Sequence, residues 1–422
     1  MKKPIRLAAL LLSLSLLTGC TASAGDLWSW KIADAPSSAA AAVTEAKTQK
    51  QAGACTPVAQ RSDYKSLSNE KCRHLYDKLL DCAQNITDSK TENGYLVKTA
   101  NLFTEKLSDN ETRRTVMAFF NDNPQIFWLS NQYTYSFTLT GTSVQLYSRV
   151  RAEERTRLQK KLDTVVGQIL SGVTSADSEL EREDKLFDAL ADRCTYDSAA
   201  SADTQQTDWQ PYTAYGALVT GKAVCDGYSR AMQLLCSQAG LQCRLVNGNS
   251  KGAAHIWNLI SIGGAWYHFD GTWMDGGIRT YDYFNVTDAV IKRDHTLSPQ
   301  NGDVADCNFP LPAADSEQAN YYQKCAVQIP ALNAEVREQI VQALVHAAQQ
   351  QKHSMALRLS DDLDFNKTVG QLFNGVPYFF QACVQEANGR LSSGKALSYT
   401  EMQYSAAASQ NGVSVQLAYA QS

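Results

Sequence analysis

A pair of glycines between two strand-like runs constrains the fold of this 422-residue chain more than any other feature. Apolar, aromatic and β-branched residues dominate the runs 254–262 and 265–273, and only Gly263 and Gly264 separate them. Two glycines between such runs favour a two-residue turn and therefore an antiparallel hairpin. We expect the two strands to pair outwards from this turn, without a bulge, along both runs.

The predicted register brings a histidine and an aspartate to one face of the hairpin. His255 falls on the first strand opposite Thr272, and Asp270 falls on the second strand opposite Trp257. His255 and Asp270 are then diagonal neighbours about 7 Å apart at the backbone, which is within side-chain reach. In this geometry a carboxylate fixes the tautomer of an imidazole, whose other nitrogen can act on a nucleophile.

Cys225 lies at the predicted start of a helix, in the stretch "GKAVCDGYSRAM" at 221–232. Apolar residues recur after it at helical spacing, and Gly240 ends the run. Free N–H groups and the positive end of the helix dipole favour a thiolate in the first turn. Cys236 lies among leucines of the same helix and is predicted to be a packing residue. The sequence therefore predicts that Cys225 is a nucleophile with a histidine of the hairpin as its base.

Three stretches resemble the bacterial transglutaminase-like superfamily: "AYGALVTGKAVCDGYSRA", "HIWNLISIGGAWYHFDGTW" and "YDYFNVTDAVIKRDH". The resemblance covers roughly residues 180–300, and "NPQIFWLSNQY" resembles the leader region of secreted members. It implies a papain-like α+β core, in which a helix that carries the cysteine packs on an antiparallel sheet. It also implies that Cys225 is the nucleophile, His255 the general base and acid, and Asp270 the orienting acid.

These residues predict a thiol enzyme that performs acyl transfer or hydrolysis at the carboxamide or peptide bonds of a protein or peptide substrate. The backbone N–H of Cys225 is one predicted donor to the oxyanion, and Tyr215 is the candidate side-chain donor. An aromatic ring packed beside the cysteine helix would explain Tyr215 equally well. Two alternatives stay open: a cysteine peptidase without cross-linking activity, and a non-catalytic surface scaffold or binding module.

Neighbouring residues offer alternatives to this assignment. His268 falls on the same face as His255 and is a rival base, whereas Asp275 and Asp282 are rival acids beyond the paired strand. The cysteine, both histidines and the aspartate are also zinc-type ligands, but no Cys-x-x-Cys or His-x-x-x-His knuckle accompanies them. We therefore expect no metal and no cofactor.

The N-terminus predicts export and a lipid anchor. A basic start at 1–6 precedes an apolar run at 7–17 that is too short for a permanent spanning helix. The following "LTGC" at 17–20 resembles the lipobox of bacterial lipoproteins, in which the cysteine is lipidated and becomes the new N-terminus. We therefore expect a signal peptide at 1–19, lipidation of Cys20, and an extracytoplasmic protein anchored to the cell membrane.

Charge argues against two classes of partner. The formal net charge of −4 becomes −7 if the three basic residues of the leader are removed. The sequence contains no basic stripe, which argues against nucleic acid and against an anionic lipid surface as partners.

Composition and periodicity divide the rest of the chain into four parts. Residues 20–59 are rich in alanine, serine, lysine and glutamine and are predicted to be a disordered tether. Residues 60–175 are predicted to be mainly helical with one hairpin, and 176–305 to be the catalytic domain. Residues 315–422 are predicted to be a small α/β domain without a catalytic motif. The expected fold class of the whole is α+β.

Overall fold

The structure is a computed structural model that describes residues 61–98, 104–203, 205–300, 308–375 and 378–420. The predicted signal peptide, the tether and Cys20 lie outside the described residues. Two compact units are present: the first extends to Gly264 and includes Lys292–Ala313, and the second comprises Ala265–Ile291 and Ala314–Ser422. These units interleave in sequence, so their limits differ from the contiguous domain ranges, which stay predictions. No helix in the described part of the chain is both long and apolar enough to cross a membrane.

The N-terminal part of the first unit combines four helices with an antiparallel sheet. Strand β5 of this sheet pairs with β2, β3 and β4, and β1 pairs with β2. The elements are α1 (Ser62–Lys65), α2 (Glu70–Cys82), β1 (Ile86–Thr91), β2 (Gly94–Val97), β3 (Thr104–Glu105), α3 (Asp109–Asp122), β4 (Leu129–Phe137), β5 (Gly141–Ser148) and α4 (Ala152–Leu170). The predicted hairpin is confirmed, since Phe137 pairs with Thr142 next to its turn. Strands β1 and β2 were not expected from the sequence.

The central part of the chain places the cysteine helix on a sheet, as predicted. Its elements are α5 (Glu179–Ala191), β6 (Thr195–Tyr196), α6 (Ser198–Ala202), β7 (Lys222–Ala223), α7 (Cys225–Gln238), β8 (Gln242–Ser250), β9 (Ala253–Ile262), β10 (Ala265–Phe269), α8 (Gly271–Met274), α9 (Asp288–Ile291) and β11 (His295–Leu297). In the first unit, β8 pairs antiparallel with both β9 and β11. The hydroxyl of Ser229 on α7 donates to the Ile256 carbonyl over 3.0 Å, and the amide of Asn258 donates to the Ser229 carbonyl over 3.0 Å. The predicted α+β class is therefore confirmed.

The glycine turn has the backbone that the sequence predicted, but the strand after it is shorter than expected. Gly263 and Gly264 have φ values of 61° and 82°, and two positive values define the type I′ turn of two-residue hairpins. The prediction of a strand to residue 273 is wrong, because β10 ends at Phe269. Asp270 then caps helix α8, so Thr272 lies in a helical turn rather than in a strand opposite His255.

The second unit contains a mixed sheet with the strand order β12-β13-β15-β14. Strands β12 and β13 are parallel, which requires a crossover connection, and α11 provides it; the other pairs are antiparallel. The elements are α10 (Tyr321–Lys324), β12 (Val327–Ile329), α11 (Ala334–Gln349), β13 (Ser354–Leu359), α12 (Phe365–Phe373), α13 (Phe379–Asn388), β14 (Gln403–Ala407) and β15 (Gly412–Gln416). Apolar side chains such as Leu344, Leu357 and Val384 form its core. The predicted C-terminal α/β architecture is confirmed.

A buried ion pair connects the N-terminal helices of the first unit to its β8–β9 sheet. Arg244, on β8, donates to the carboxylate of Asp63 on α1 over 2.8 Å and to the carbonyl of Pro310 over 2.8 Å. The backbone N–H of Asp63 donates in turn to Asp122, the last residue of α3, over 3.1 Å. Both carboxylates are buried. The N-terminal helices are therefore packed as part of the first unit.

Candidate active site

Cys225 is the first residue of helix α7, as predicted. The preceding residue, Val224, offers no side-chain cap, and the first N–H groups of a helix have no partner within the helix. The Cys225 side chain is partly exposed, whereas Cys236 near the end of the same helix is buried. Cys225 therefore combines a helix N-terminus with access to solvent, which are two conditions for a reactive thiolate.

The segment before α7 lies directly against the first turn of this helix. The N–H of Val224 donates to the Pro211 carbonyl over 3.0 Å. A Cβ atom on Gly227 would lie only 2.4 Å from the same carbonyl oxygen, so the close approach requires glycine at this position. The contact brings the 3₁₀ helix at Gln210–Tyr212 next to the turn that contains Cys225.

Tyr212, in this 3₁₀ helix, is a residue that the sequence did not single out. Its hydroxyl donates to the Ala200 carbonyl over 2.8 Å. Burial and, to a smaller extent, the negative charges of Asp203 and Cys225 raise the pKa of Tyr212 to about 12. The phenol therefore stays protonated near the cysteine.

Tyr215, the predicted oxyanion candidate, is buried in an aromatic cluster. Its ring lies 4.9 Å from the ring of Phe127 and 6.5 Å from that of Trp209, measured between centroids. Burial raises the pKa of Tyr215, and Arg157 and Glu154 on α4 are the charged groups that act on it. These surroundings are those of a packed aromatic residue, the alternative that the sequence left open.

His255 lies on β9, and its imidazole is buried beside an indole. The ring stacks on Trp257 at a centroid distance of 6.0 Å and an interplanar angle of 18°. The neighbouring residue Ile256 accepts the hydrogen bond from Ser229, which lies one helical turn after Cys225. Helix α7 is therefore bonded to β9 at the stretch that carries His255.

A second histidine, His295 on β11, lies beside His255. The two ring centroids are 5.6 Å apart, and a nitrogen of one ring lies within 4.8 Å of a nitrogen of the other. The Nδ1 atom of His295 is 2.7 Å from the carboxylate of Asp294. No pattern in the sequence singled out His295, although it ends the stretch "YDYFNVTDAVIKRDH" that carries part of the resemblance.

Asp226, the residue after Cys225, is a buried carboxylate with an arginine partner. Its Oδ1 atom accepts from Nε of Arg230 over 2.8 Å, and Arg230 also donates to the carbonyl of Phe120. Burial raises the pKa of Asp226, and the charges of Arg230 and Arg149 oppose this shift. The arginine therefore compensates a negative charge next to the thiol.

Asp270 lies in the second unit, directly after β10, and is fully buried. Its Oδ1 atom accepts from the N–H groups of Thr272 at 3.0 Å and Trp273 at 3.2 Å. A carboxylate has two oxygen atoms, so Oδ1 can hold the helix cap while Oδ2 makes a further bond. The role of Asp270 as the orienting acid stays a prediction.

The rival residues have structural partners of their own in the second unit. The Nε2 atom of His268 lies 2.9 Å from Oδ1 of Asp288 on α9. Asp282 accepts a hydrogen bond from the hydroxyl of Tyr322 over 2.7 Å. The backbone of Asp275 pairs with that of Arg279 in an isolated antiparallel β-bridge. These partners give His268 and Asp282 roles in packing.

A partly exposed cysteine at the start of a helix, packed on an antiparallel sheet that carries a histidine, is the arrangement of a papain-like thiol-enzyme core. Residues 167–271 match the family model of the transglutaminase-like superfamily. This range contains Cys225, His255 and Asp270. The chain therefore contains a domain of the transglutaminase-like superfamily.

Two curated relatives are similar to part of the chain. The chain is 32% identical over 162 residues to kyphoscoliosis peptidase of Homo sapiens. The aligned residues are 33% of this chain and 24% of that protein. The corresponding protein of Mus musculus is 32% identical over 146 residues, or 29% of this chain and 22% of the relative. The match thus spans about a quarter of the length of these relatives.

Two solved structures are also similar to the chain. The first, the crystal structure of a TGase, is 16% identical to this chain with a TM-score of 0.26. The aligned residues are 43% of this chain and 52% of the TGase chain. The second, the structure of a candidate cysteine protease from Cytophaga hutchinsonii, is 21% identical with a TM-score of 0.21. The aligned residues are 28% of this chain and 37% of that protease chain.

Proposed function

We propose that the chain is a thiol enzyme that transfers an acyl group from a carboxamide or peptide bond to water or to an amine. The observation that supports this most is the position of Cys225, partly exposed at the first residue of α7. One turn later the helix is hydrogen-bonded to β9 beside His255. A thiol in this position gains thiolate character from the helix terminus and a base from the strand. Asp270 is proposed as the orienting acid on the strength of the sequence pattern.

In the proposed reaction, His255 takes the proton from Cys225 Sγ, and the thiolate attacks the carbonyl carbon of the substrate. The resulting oxyanion accepts from the backbone N–H of Cys225 and, in the proposal, from the hydroxyl of Tyr215. The hydroxyl of Tyr212 would first have to release the Ala200 carbonyl to which it donates. The C–N bond then breaks, and the leaving amine takes the proton from His255. The acyl group stays on Sγ as a thioester until water or an amine, deprotonated by His255, attacks it and restores the thiol.

Hydrolysis is the outcome that we favour over cross-linking. The human and mouse relatives are named as peptidases. Hydrolysis also needs only water as the acceptor, whereas cross-linking requires a site that admits an amine and excludes water. We therefore propose protein or peptide substrates that are cleaved through the thioester.

A peptide library scored by mass tests the reaction. New peptide termini are expected with the purified chain, and products that carry an added primary amine would indicate transfer instead. The C225A variant is the matched control and is expected to give neither product. A thiol probe applied to the folded protein tests the non-catalytic alternative, since a scaffold predicts no preferential labelling of Cys225.

We also propose that Cys20 is lipidated and that the protein is held at the outer face of the cell membrane. The support is the order of a basic start, a short apolar run and "LTGC" in the sequence. Expression of the full chain in bacteria should then place it in the membrane fraction, and C20S should shift it to the soluble fraction or leave it unprocessed. Equal partitioning of the two versions would refute the anchor.

A further inference from the structure

The backbone around Asp270 depends on a segment of the second unit that runs beside it. The N–H of Asp270 donates to the Tyr283 carbonyl over 3.2 Å. Two residues earlier, His268 and Val286 exchange a pair of backbone hydrogen bonds of 2.9 and 3.0 Å. The residues at 283–286 therefore fix the place at which β10 ends and Asp270 begins.

The chain just before this segment is bonded to the C-terminal sheet by Tyr281. Its backbone N–H donates to the hydroxyl of Ser414 on β15 over 3.2 Å, and its own hydroxyl lies 2.7 Å from that of Ser354 on β13. The ring stacks on Tyr321 with centroids 3.6 Å apart. Tyr281 is thus held at its backbone, its ring and its hydroxyl by the C-terminal part of the unit.

Tyr322 provides a second connection to the same segment. Its hydroxyl donates to the carboxylate of Asp282 over 2.7 Å and lies 2.8 Å from the hydroxyl of Ser414. The buried ring passes over Gly412 so closely that a Cβ atom there would lie 2.5 Å from it. The side chain of Gln410 also donates to the Asp282 carbonyl over 2.6 Å. The bonds from Tyr322 and Gln410 to Asp282 cross from the C-terminal residues to the segment that leads to Tyr283.

We infer that the C-terminal α/β part of the second unit is a positioning element for Asp270, with Tyr281 and Tyr322 as its positioning residues. This inference rests on the proposed function, in which Asp270 orients the imidazole of His255. Catalytic groups act within about 0.5 Å of their productive positions, so a buried carboxylate needs a rigid support. Hydrogen bonds from a packed sheet supply such support, and the C-terminal residues then serve the reaction without touching the substrate.

The pH profile of Cys225 alkylation by iodoacetamide, quantified by peptide mass mapping of the full chain, tests this inference. An orienting carboxylate stabilises the imidazolium that accompanies the thiolate, so D270A should move the acidic limb of the profile to higher pH. Y322F removes one hydrogen bond to Asp282 and should shift the limb in the same direction. For Y322F we expect an alkylation rate at mildly acidic pH that is about threefold to tenfold lower, which corresponds to the loss of one hydrogen bond. In the D270A background, Y322F should add no further shift.

Two more variants serve as the independent test and the control. G412A pushes the Tyr322 ring out of place and should shift the profile as Y322F does. Y419F removes a hydroxyl of the same unit that donates to the carbonyls of Lys352 over 2.7 Å and Ala347 over 3.4 Å. It should leave the profile unchanged. Circular dichroism on each variant verifies that the fold is retained.

The outcomes separate the inference from the proposed function. A shift in D270A with wild-type profiles in Y322F and G412A would overturn the inference and leave the triad standing. An equal effect of Y322F in both backgrounds would also overturn it, because Tyr322 would then act independently of Asp270. A wild-type profile in D270A would refute the role of Asp270 itself.

Discussion

The two ends of helix α7 carry the same type of residue in opposite surroundings. Cys225 is partly exposed at the start of the helix, whereas Cys236 near its end is fully buried. Burial raises the pKa of Cys236 well above its ordinary value, and the hydrogen bond with Cys243 raises it further. The comparison teaches that position on a helix, and not residue type, decides whether a thiol can be a nucleophile.

The largest expected effect separates these two cysteines by activity. C225A removes the atom that becomes acylated, so cleavage of library peptides should disappear. C236A removes a buried thiol that packs in the core and is hydrogen-bonded to Cys243, so it should retain most of the activity, with lower stability because a small cavity is left. Turnover of peptides by C225A, measured on the same preparation, would contradict the comparison.

The next effect concerns His255, the proposed base of Cys225. H255A leaves the thiol without a proton acceptor and should lose nearly as much activity as C225A, because members of a catalytic unit do not act additively. H268A is the matched control and should keep most of the activity, since the His268 ring is engaged with Asp288. An active H255A together with an inactive H268A would show that the base is wrongly assigned.

A smaller loss is expected when the orienting acid is removed. D270A leaves the proposed nucleophile and base in place, and in a comparable serine triad the replacement of the aspartate by asparagine cost about 10⁴ in rate. A thiol is intrinsically more nucleophilic than an alcohol, so the loss in kcat should be smaller here. D275A tests the rival acid and should change the rate little. Equal rates for D270A and the unchanged chain would remove Asp270 from the mechanism.

The smallest effect distinguishes the two thiols without any substrate. Cys225 should react with iodoacetamide at mildly acidic pH, because the helix terminus and His255 favour its thiolate. Cys236 should stay unmodified at the same pH, because its raised pKa leaves it protonated and burial excludes the reagent. In denaturant the two cysteines should react equally. If alkylation of Cys225 begins only above about pH 8.5, where a free thiol ionises, the surroundings of Cys225 do not activate it.

Local patterns in the sequence predicted the elements of the core. Helical periodicity placed Cys225 at the start of α7, and the glycine pair predicted the two-residue turn of the hairpin. The end of β10 was missed because Asp270 is a helix cap, and the capping hydrogen bonds outweigh the strand preference of Thr272 and Trp273.

Contacts between residues that are distant in sequence account for what the patterns could not reveal. His295 comes beside His255 only because β11 pairs with β8. Tyr212 comes beside the cysteine helix only because Gly227 permits close approach of the backbone. No periodicity or turn preference in the sequence predicts either contact.

At the junction of Asp63, Asp122 and Arg244, the buried carboxyl group of Asp122 contributes more to the stability of the first unit in acid than in alkali. Burial raises the pKa of both carboxyl groups. The negative charge of Asp63 raises the pKa of Asp122 further, whereas the positive charge of Arg244 lowers that of Asp63. A carboxyl group whose pKa is higher in the folded state binds its proton more tightly when folded, so its contribution to stability is lost as the pH rises through the raised pKa. Denaturant unfolding should therefore show a lower free energy of unfolding at about pH 8 than at about pH 5, and D122N should reduce the difference.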